Sequence, residues 1–351
     1  MNNGTDNKTE ITIEIESPRW EDWVAGLSLL LYGGTGLAFY GVIIIALYKL
    51  SGDIAGFRIL LSDALANTGQ VIIFGVWPGI LIIIQQALLP RPLVAFLNDG
   101  FWFCMSEHYI LIAFSRYVAI VHPFWFNARF KPLAYPLCFV SWVAAFLQSL
   151  SFRFMPWKTL FYYHPPSYGW ANSNWTLYEE GEKYFWDFYN IPIVCGPFLL
   201  YGVAAYVMYR KRNTVASTGN QNSRSDKAER KLMIPCFINQ TFYFFGSVVL
   251  FKALLTIGTK WGSWAINVYQ VTNSLINPVT LMFMSTVLRT KVFGMFGITG
   301  TKFTQTTGSN LQSTKRGSVS VASARRGSLM VSQANSPIPM QETKRNNDTT
   351  D

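Results

Sequence analysis

The sequence predicts an all-α membrane protein, a seven-transmembrane helix bundle with its N-terminus outside and its C-terminus cytoplasmic. Half of the 351 residues are hydrophobic and 14% are charged, against about a quarter charged in a typical globular protein. Apolar runs reach the length of roughly 20 residues that a membrane-spanning helix needs. Lys and Arg residues are concentrated in every second segment between these runs, as expected if those segments lie on one side of a membrane. A soluble protein with buried core helices would explain the composition but not the length of the runs.

The first 23 residues are polar and acidic, unlike a signal peptide, so we expect the first span itself to direct insertion. The bundle is expected to occupy residues 24–286. The third and seventh spans are the most polar, which predicts that they face the bundle interior. The predicted spans are 24–48, 58–86, 96–121, 133–153, 185–209, 232–256 and 262–286.

The segment 210–231 determines the predicted orientation. It carries seven of the 29 Lys and Arg residues, and short loops rich in these residues stay in the cytoplasm. The N-terminal tail, 1–23, is then extracellular. The Asn-X-Thr sequons at Asn3, Asn7 and Asn174 would also lie outside, and we expect glycosylation there.

Two segments follow the bundle. Residues 287–296 are expected to form a short amphipathic juxtamembrane helix, and 297–351 a disordered, basic cytoplasmic tail. Ser318 and Ser328 follow the basic pairs in "KRGSV" and "RRGSL", a pattern that basic-directed kinases phosphorylate. A basic tail that contacts anionic lipid is an equal alternative.

No enzyme motif is present: the chain lacks HExxH, GxSxG and the P-loop, and three histidines are too few for a typical metal cluster. The cysteines, at 104, 138, 195 and 236, all fall inside predicted spans. We expect them to be buried packing residues without an extracellular disulfide. We therefore expect no enzyme activity, cofactor, metal or nucleic-acid partner.

Two sequence motifs indicate a family. The third span ends in "SRYVAIVHP", the seventh contains "NSLINPVTL", and Trp142 lies midway along the fourth. These resemble the DRYxAIxxP and NSxxNPxxY patterns and the central tryptophan of rhodopsin-like G-protein-coupled receptors. The stretch "SEHYILIAFSRYVAI" and the aromatic-rich spans are most similar to nematode serpentine chemoreceptors of class x, t or v. The resemblance covers residues 24–296.

This resemblance implies a multi-pass plasma-membrane receptor in the lipid bilayer. It would bind an extracellular small molecule or peptide and activate a heterotrimeric G protein, with a kinase and arrestin acting on the tail. Arg116, Tyr117, Pro123, Asn277 and Pro278 match the activation motifs. The alternative is a seven-span transporter or ion-translocating protein, although we find no internal repeat of the kind transporters show.

Departures from the family motifs change the expected contacts. Ser115 replaces the acid beside the arginine, so Glu229 is the expected restraint on Arg116, and a solvated Glu229 is the alternative. Leu281 replaces the tyrosine of NPxxY, and Tyr40 the first-span asparagine.

Polar residues within the spans form a second set of predictions. The internal network is expected to join Asp63 to Asn273, Ser274 and Asn277. The sequence does not decide whether this network also binds a sodium ion. His108 is interpreted as a neutral, hydrogen-bonded residue or as part of a proton relay.

The ligand pocket is expected between the outer halves of the third, sixth and seventh helices. Helical spacing from Arg116 places residues of the third span on the inward face. The predicted pocket residues are Asn98, Asp99, Trp102, Phe103, Tyr243, Phe244, Asn267 and Gln270.

Overall fold

A computed structural model describes residues 17–52, 54–215, 232–246 and 258–297, without the side chains of 211–215. The predictions at Glu229, Asn3, Asn7, Ser318 and Ser328 lie outside these residues. The helices are α1 Trp20–Ser51, α2 Ala55–Ile84, α3 Arg91–Val121, α4 Lys131–Phe152, α5 Lys183–Val215, α6 Met233–Phe245, α7 Lys260–Met284 and α8 Thr286–Met295.

Four helices in the described part of the chain are long and apolar enough to cross a membrane: α1, α2, α4 with the turns before it from Pro123, and the helix Trp175–Arg210. Helices α7 and α8 would give a fifth if the pair, bent by 93°, were one span. The bend lies at Ser285, where an extended backbone conformation ends α7. The Ser285 hydroxyl oxygen then caps α8 by accepting a hydrogen bond from the Leu288 amide, at 3.3 Å.

Glycines bring α1 and α2 into backbone contact. A Cβ added to Gly33 would lie 2.9 Å from the amide nitrogen of Val76, and one added to Gly75 would lie 2.9 Å from the Cα of Gly33. Small residues allow helices to approach this closely, which is how helices associate without a hydrophobic driving force in lipid. These glycines therefore hold α1 against the π-helical turn Ile72–Val76 of α2.

Helix α3 lies in the bundle interior, as the polarity of the third span predicts. Pro90 precedes its first residue, Arg91, and Pro92 lies in its first turn, where the fixed φ of proline suits a helix. Its buried polar and charged side chains are those of Asp99, Ser106, His108, Ser115 and Arg116.

A β-hairpin lies between α4 and α5. Strands β1, Phe161–His164, and β2, Gly169–Asn172, pair antiparallel with Tyr163 opposite Trp170. The connection is a 3₁₀ turn, Pro165–Ser167, followed by Tyr168 with a φ of 52°. We call the end of the bundle with this hairpin the hairpin end, and the opposite end, near the C-terminus of α3, the Arg116 end.

All four cysteines are free. Cys104, Cys138 and Cys236 are buried as expected, but Cys195 is exposed on α5, so the prediction of a buried thiol is wrong there. It sits on an apolar helix face beside exposed residues such as Ile191 and Leu199, which need no protein partner where lipid covers them.

Candidate functional site

Arg116 is the largest fully buried side chain in the described part of the chain. It lies one to two turns before α3 ends at Val121, close enough to Tyr201 of α5 for an electrostatic interaction. The hydroxyl of neighbouring Ser115 donates to the Ile112 carbonyl at 2.7 Å. Ser115 therefore bonds to its own helix, and the restraint expected from Glu229 stays a prediction.

The other motif residues at the Arg116 end are less buried. Tyr117 stacks on Phe114 with ring centroids 6.4 Å apart and packs edge-on against His122, at 6.2 Å. Pro123 opens the short helical turn Pro123–Trp125 directly after α3. Pro123 thus marks the point where the chain leaves the bundle.

A hydrogen-bonded network joins α2 to α7 in the middle of the bundle. Asp63 accepts hydrogen bonds from the side-chain amides of Asn67, at 3.0 Å, and Asn277. Tyr40 of α1 donates to the backbone carbonyl of Ser274, and Asn273 is buried alongside. Tyr40 therefore bonds to the α7 backbone from the position where the family has an asparagine. Pro278, which follows Asn277, is buried within α7.

His108 joins three helices. Its Nε2 lies 2.7 Å from the hydroxyl of Ser62, which also accepts a hydrogen bond from the indole of Trp142 at 2.9 Å. Its Nδ1 lies 2.7 Å from the carbonyl of Cys104, which can only accept. Nδ1 therefore carries the proton, and Ser62 donates to Nε2, which is the pattern of a neutral, structural imidazole.

Four of the eight predicted pocket residues lie together, and the other four do not join them. Trp102, Phe103, Tyr243 and Phe244 belong to one apolar cluster that also contains Trp186 of α5, whose ring lies 5.0 Å from that of Trp102. The backbone carbonyl of Asn98 accepts a hydrogen bond from the side-chain amide of Gln70, at 3.5 Å. Asn267 and half-buried Gln270 lie on α7, and Asn267 bonds to the hairpin instead.

Asp99, predicted to contact ligand, is held in an ion-pair cluster. Arg153 at the end of α4 donates to its carboxylate, and the Lys158 ammonium lies 3.4 Å from the same oxygen. Lys158 also pairs with Glu182 at 2.5 Å, and the Thr159 amide and hydroxyl donate to the other Glu182 oxygen. The cluster joins α3, α4, the loop after it and the turn before α5.

Glu182 precedes the predicted fifth span, in the π-helical turn Tyr178–Glu182. Burial raises its pKa, but Lys158 and the Thr159 donors outweigh burial and hold the pKa below the ordinary glutamate value. Glu182 is therefore an ionised, fully bonded carboxylate. Sequence reasoning did not find this cluster, although Asp99, Arg153, Lys158 and Glu182 all lie near span ends at one side of the membrane.

The hairpin closes one end of the bundle. Trp170 packs on Phe74 of α2, with centroids 5.3 Å apart, and donates to Asn267 at 3.2 Å. Asn267 donates in turn to the Tyr168 carbonyl at 2.9 Å, and the Tyr168 hydroxyl bonds to Asp22 of α1. The hairpin thus contacts α1, α2 and α7.

Asn174 lies on the surface just after the hairpin. Its side-chain oxygen caps the turn Trp175–Leu177 by accepting from the Leu177 amide at 3.1 Å. The residue is exposed, as a glycosylation acceptor must be.

Comparisons with known proteins agree with the motifs. A family model described as "Serpentine type 7TM GPCR chemoreceptor Srx" matches residues 30–297. The crystal structure of squid rhodopsin is similar over 79% of this chain and 86% of the squid chain, with a TM-score of 0.61 and 14% identity. At that identity the likeness establishes the fold alone. No curated protein matches the sequence significantly.

Proposed function

Because the chain belongs to the Srx family of serpentine seven-transmembrane chemoreceptors, we propose that it is a chemosensory G-protein-coupled receptor of the plasma membrane. It binds an extracellular small molecule or peptide and activates a heterotrimeric G protein. The family match carries the proposal, and among the classes that the motifs resemble it selects class x.

The proposed topology has seven spans, with the hairpin end outside. Besides the four helices that meet the length and hydropathy criterion alone, α3, α6 and α7 supply the remaining three spans. The basic segment 210–231 supports a cytoplasmic Arg116 end. The exposed Asn174 at the hairpin end fits an extracellular glycosylation site.

Signal transmission is proposed to use the contacts described above. Helix α3 begins beneath the hairpin and carries Arg116 near its other end, so that one rigid element reaches both surfaces. The Asp63–Asn277 bond holds α7 against α2 between those surfaces. A ligand that favours a different arrangement of the helices would shift the exposure of Arg116 to the G protein.

The tail completes the proposal. Phosphorylation at Ser318 and Ser328 would place negative charge in a basic segment, and a kinase and arrestin would act there. Glu229 would restrain Arg116 until α6 moves outward.

The test is guanine-nucleotide exchange on added heterotrimeric G proteins, in membranes that contain the full-length protein and are exposed to a chemical panel. We expect at least one compound to increase exchange, and no increase with Arg116→Ala. Ligand-dependent current or uptake without exchange, across the main G-protein classes, would contradict the proposal and favour a transporter.

A further inference from the structure

A crevice at the hairpin end lies apart from the predicted pocket. Helix α2, the loop after it, the start of α3 and strand β1 form its walls, and the space between them, including the part open to solvent, is about 230 Å³. Leu81, Leu89 and Val94 give it apolar sides. Gln85, with a φ of 53°, ends α2 here and turns the chain toward α3.

Two hydrogen-bond donors in this crevice have no partner in the described part of the chain. The buried indole nitrogen of Trp77 and the buried hydroxyl of Tyr163 both lack an acceptor. Tyr163 is 5% exposed, and both residues line the crevice. An unsatisfied buried polar group costs free energy, so two in one crevice indicate a missing acceptor.

A cation lies at the same place. The guanidinium of Arg91, an exposed residue that lines the crevice, stacks on the ring of Tyr162 at 4.3 Å. No carboxylate pairs with Arg91 among the residues that the structure describes. Burial also raises the pKa of Tyr163, so its hydroxyl keeps its proton and remains a donor.

We propose that this crevice binds the carboxylate of a small organic acid. Arg91 pairs with the carboxylate, the Trp77 indole and the Tyr163 hydroxyl donate hydrogen bonds to it, and the apolar walls contact a short hydrocarbon chain. A carboxylate fits because it has two oxygens with about four acceptor sites and no proton to donate. An alcohol or an ester would leave the guanidinium without its counter-charge.

This proposal rests on the proposed function, because it names the ligand class of the receptor. Without movement of its walls the crevice has an enclosed space of about 10 Å³, room for one water-sized group, so binding must open it to admit the carboxylate and the first carbons. The remainder of a larger ligand would extend past the mouth, along the hairpin.

The test uses the full-length protein in lipid nanodiscs and measures thermal unfolding during titration with hexanoate, 1-hexanol, methyl hexanoate and oleate. We expect hexanoate to raise the unfolding temperature saturably, as binding to the folded state does, and the alcohol and the ester to have no effect at equal concentration. A shift with oleate but none with hexanoate would overturn the proposal in favour of a membrane lipid. Equal shifts with all four compounds would also overturn it.

Variants make the test specific. Arg91→Gln and Tyr163→Phe should each weaken hexanoate binding about tenfold, the effect of one charge-assisted hydrogen bond. Without ligand, Tyr163→Phe should be as stable as the wild type or more stable, because it removes an unpaired buried hydroxyl. Lys183→Gln, which removes an exposed cation at the same end, should bind hexanoate normally. Unchanged affinity in both crevice variants would overturn the site.

Nucleotide exchange on the same preparations separates the two proposals. Arg91-dependent hexanoate binding without exchange on any G protein would support the crevice and contradict the receptor function. Exchange driven by other compounds, with no Arg91-dependent shift, would support the receptor and contradict the crevice.

Discussion

The side-chain amide of Asn277 on α7 donates a hydrogen bond to the carboxylate of Asp63 on α2, and both groups are buried. The bond connects two helices that are far apart in sequence and lie side by side at the centre of the bundle. Its consequences for stability can be measured directly.

Replacing Asn277 by Ala should lower the stability of the bundle. Hydrogen bonds between membrane helices average about 0.6 kcal/mol in double-mutant cycles and reach about 1.7 kcal/mol. A cycle with Asp63→Ala and Asn277→Ala should give a coupling energy in that range, measured by unfolding in detergent. A coupling energy of zero would mean that the two groups do not interact in the folded protein.

The ion pair between Lys158 and Glu182 should make stability depend on pH. The folded-state pKa of Glu182 is lowered, so its contribution is fully present above the unfolded pKa of about 4.3 and is lost as the pH falls through the folded value. The unfolding temperature should decrease as the pH is lowered below about 4.5. Glu182→Gln should lose part of this dependence; a variant with the same acid profile as the wild type would contradict the assignment.

At neutral pH, Glu182→Gln should be destabilised by about 3 kcal/mol, because it leaves the buried Lys158 without its closest counter-charge. The exposed pair between Lys183 and Glu179 provides the matched control. Glu179→Gln should cost less than about 1 kcal/mol. Thermal unfolding of the two variants compares a buried pair with an exposed one near the same helix terminus.

Reducing agents should not change the unfolding temperature. All four cysteines are free, and the charge cluster with Asp99 and Glu182 connects the loop to α3 without a disulfide. A fall in unfolding temperature on adding reductant, measured at constant pH, would show a disulfide that the structure does not contain.

The contact between α1 and α2 should be sensitive to a single methyl group. Gly33→Ala would place a Cβ 2.9–3.0 Å from the backbone of Gly75 and Val76, which cannot move aside, and should cost about 1–3 kcal/mol. Gly34→Ala is the matched control, since nothing lies within 4 Å of its added Cβ. It should be neutral or stabilise by up to about 1 kcal/mol through helix propensity. Equal effects in the two variants would contradict the close approach.

Glu229 lies outside the described residues, so its role is tested by function. Glu229→Gln should raise ligand-independent nucleotide exchange severalfold if it restrains Arg116. Asp226→Asn, a nearby acid in the same basic segment, should leave basal exchange unchanged. No change with Glu229→Gln would exclude this restraint.

The long apolar runs predict where the helices lie. Asp63 and Asn277, which the sequence analysis assigned to one internal polar network, are joined by a hydrogen bond. The hairpin was missed because "FYYH" and "GWAN" are short aromatic runs that local periodicity does not separate from a loop. The ion pairs of Asp99 were not predicted, because Arg153 and Lys158 meet it only through the tertiary fold.

The most direct test of the receptor function is guanine-nucleotide exchange in membranes. Exchange is compared between the wild type and Arg116→Ala, with each member of the main G-protein classes. We predict exchange above that of control membranes, increased further by an active compound and lost in Arg116→Ala. The receptor function would be contradicted if exchange equalled that of control membranes with every G protein and compound while the same compounds drove current or uptake.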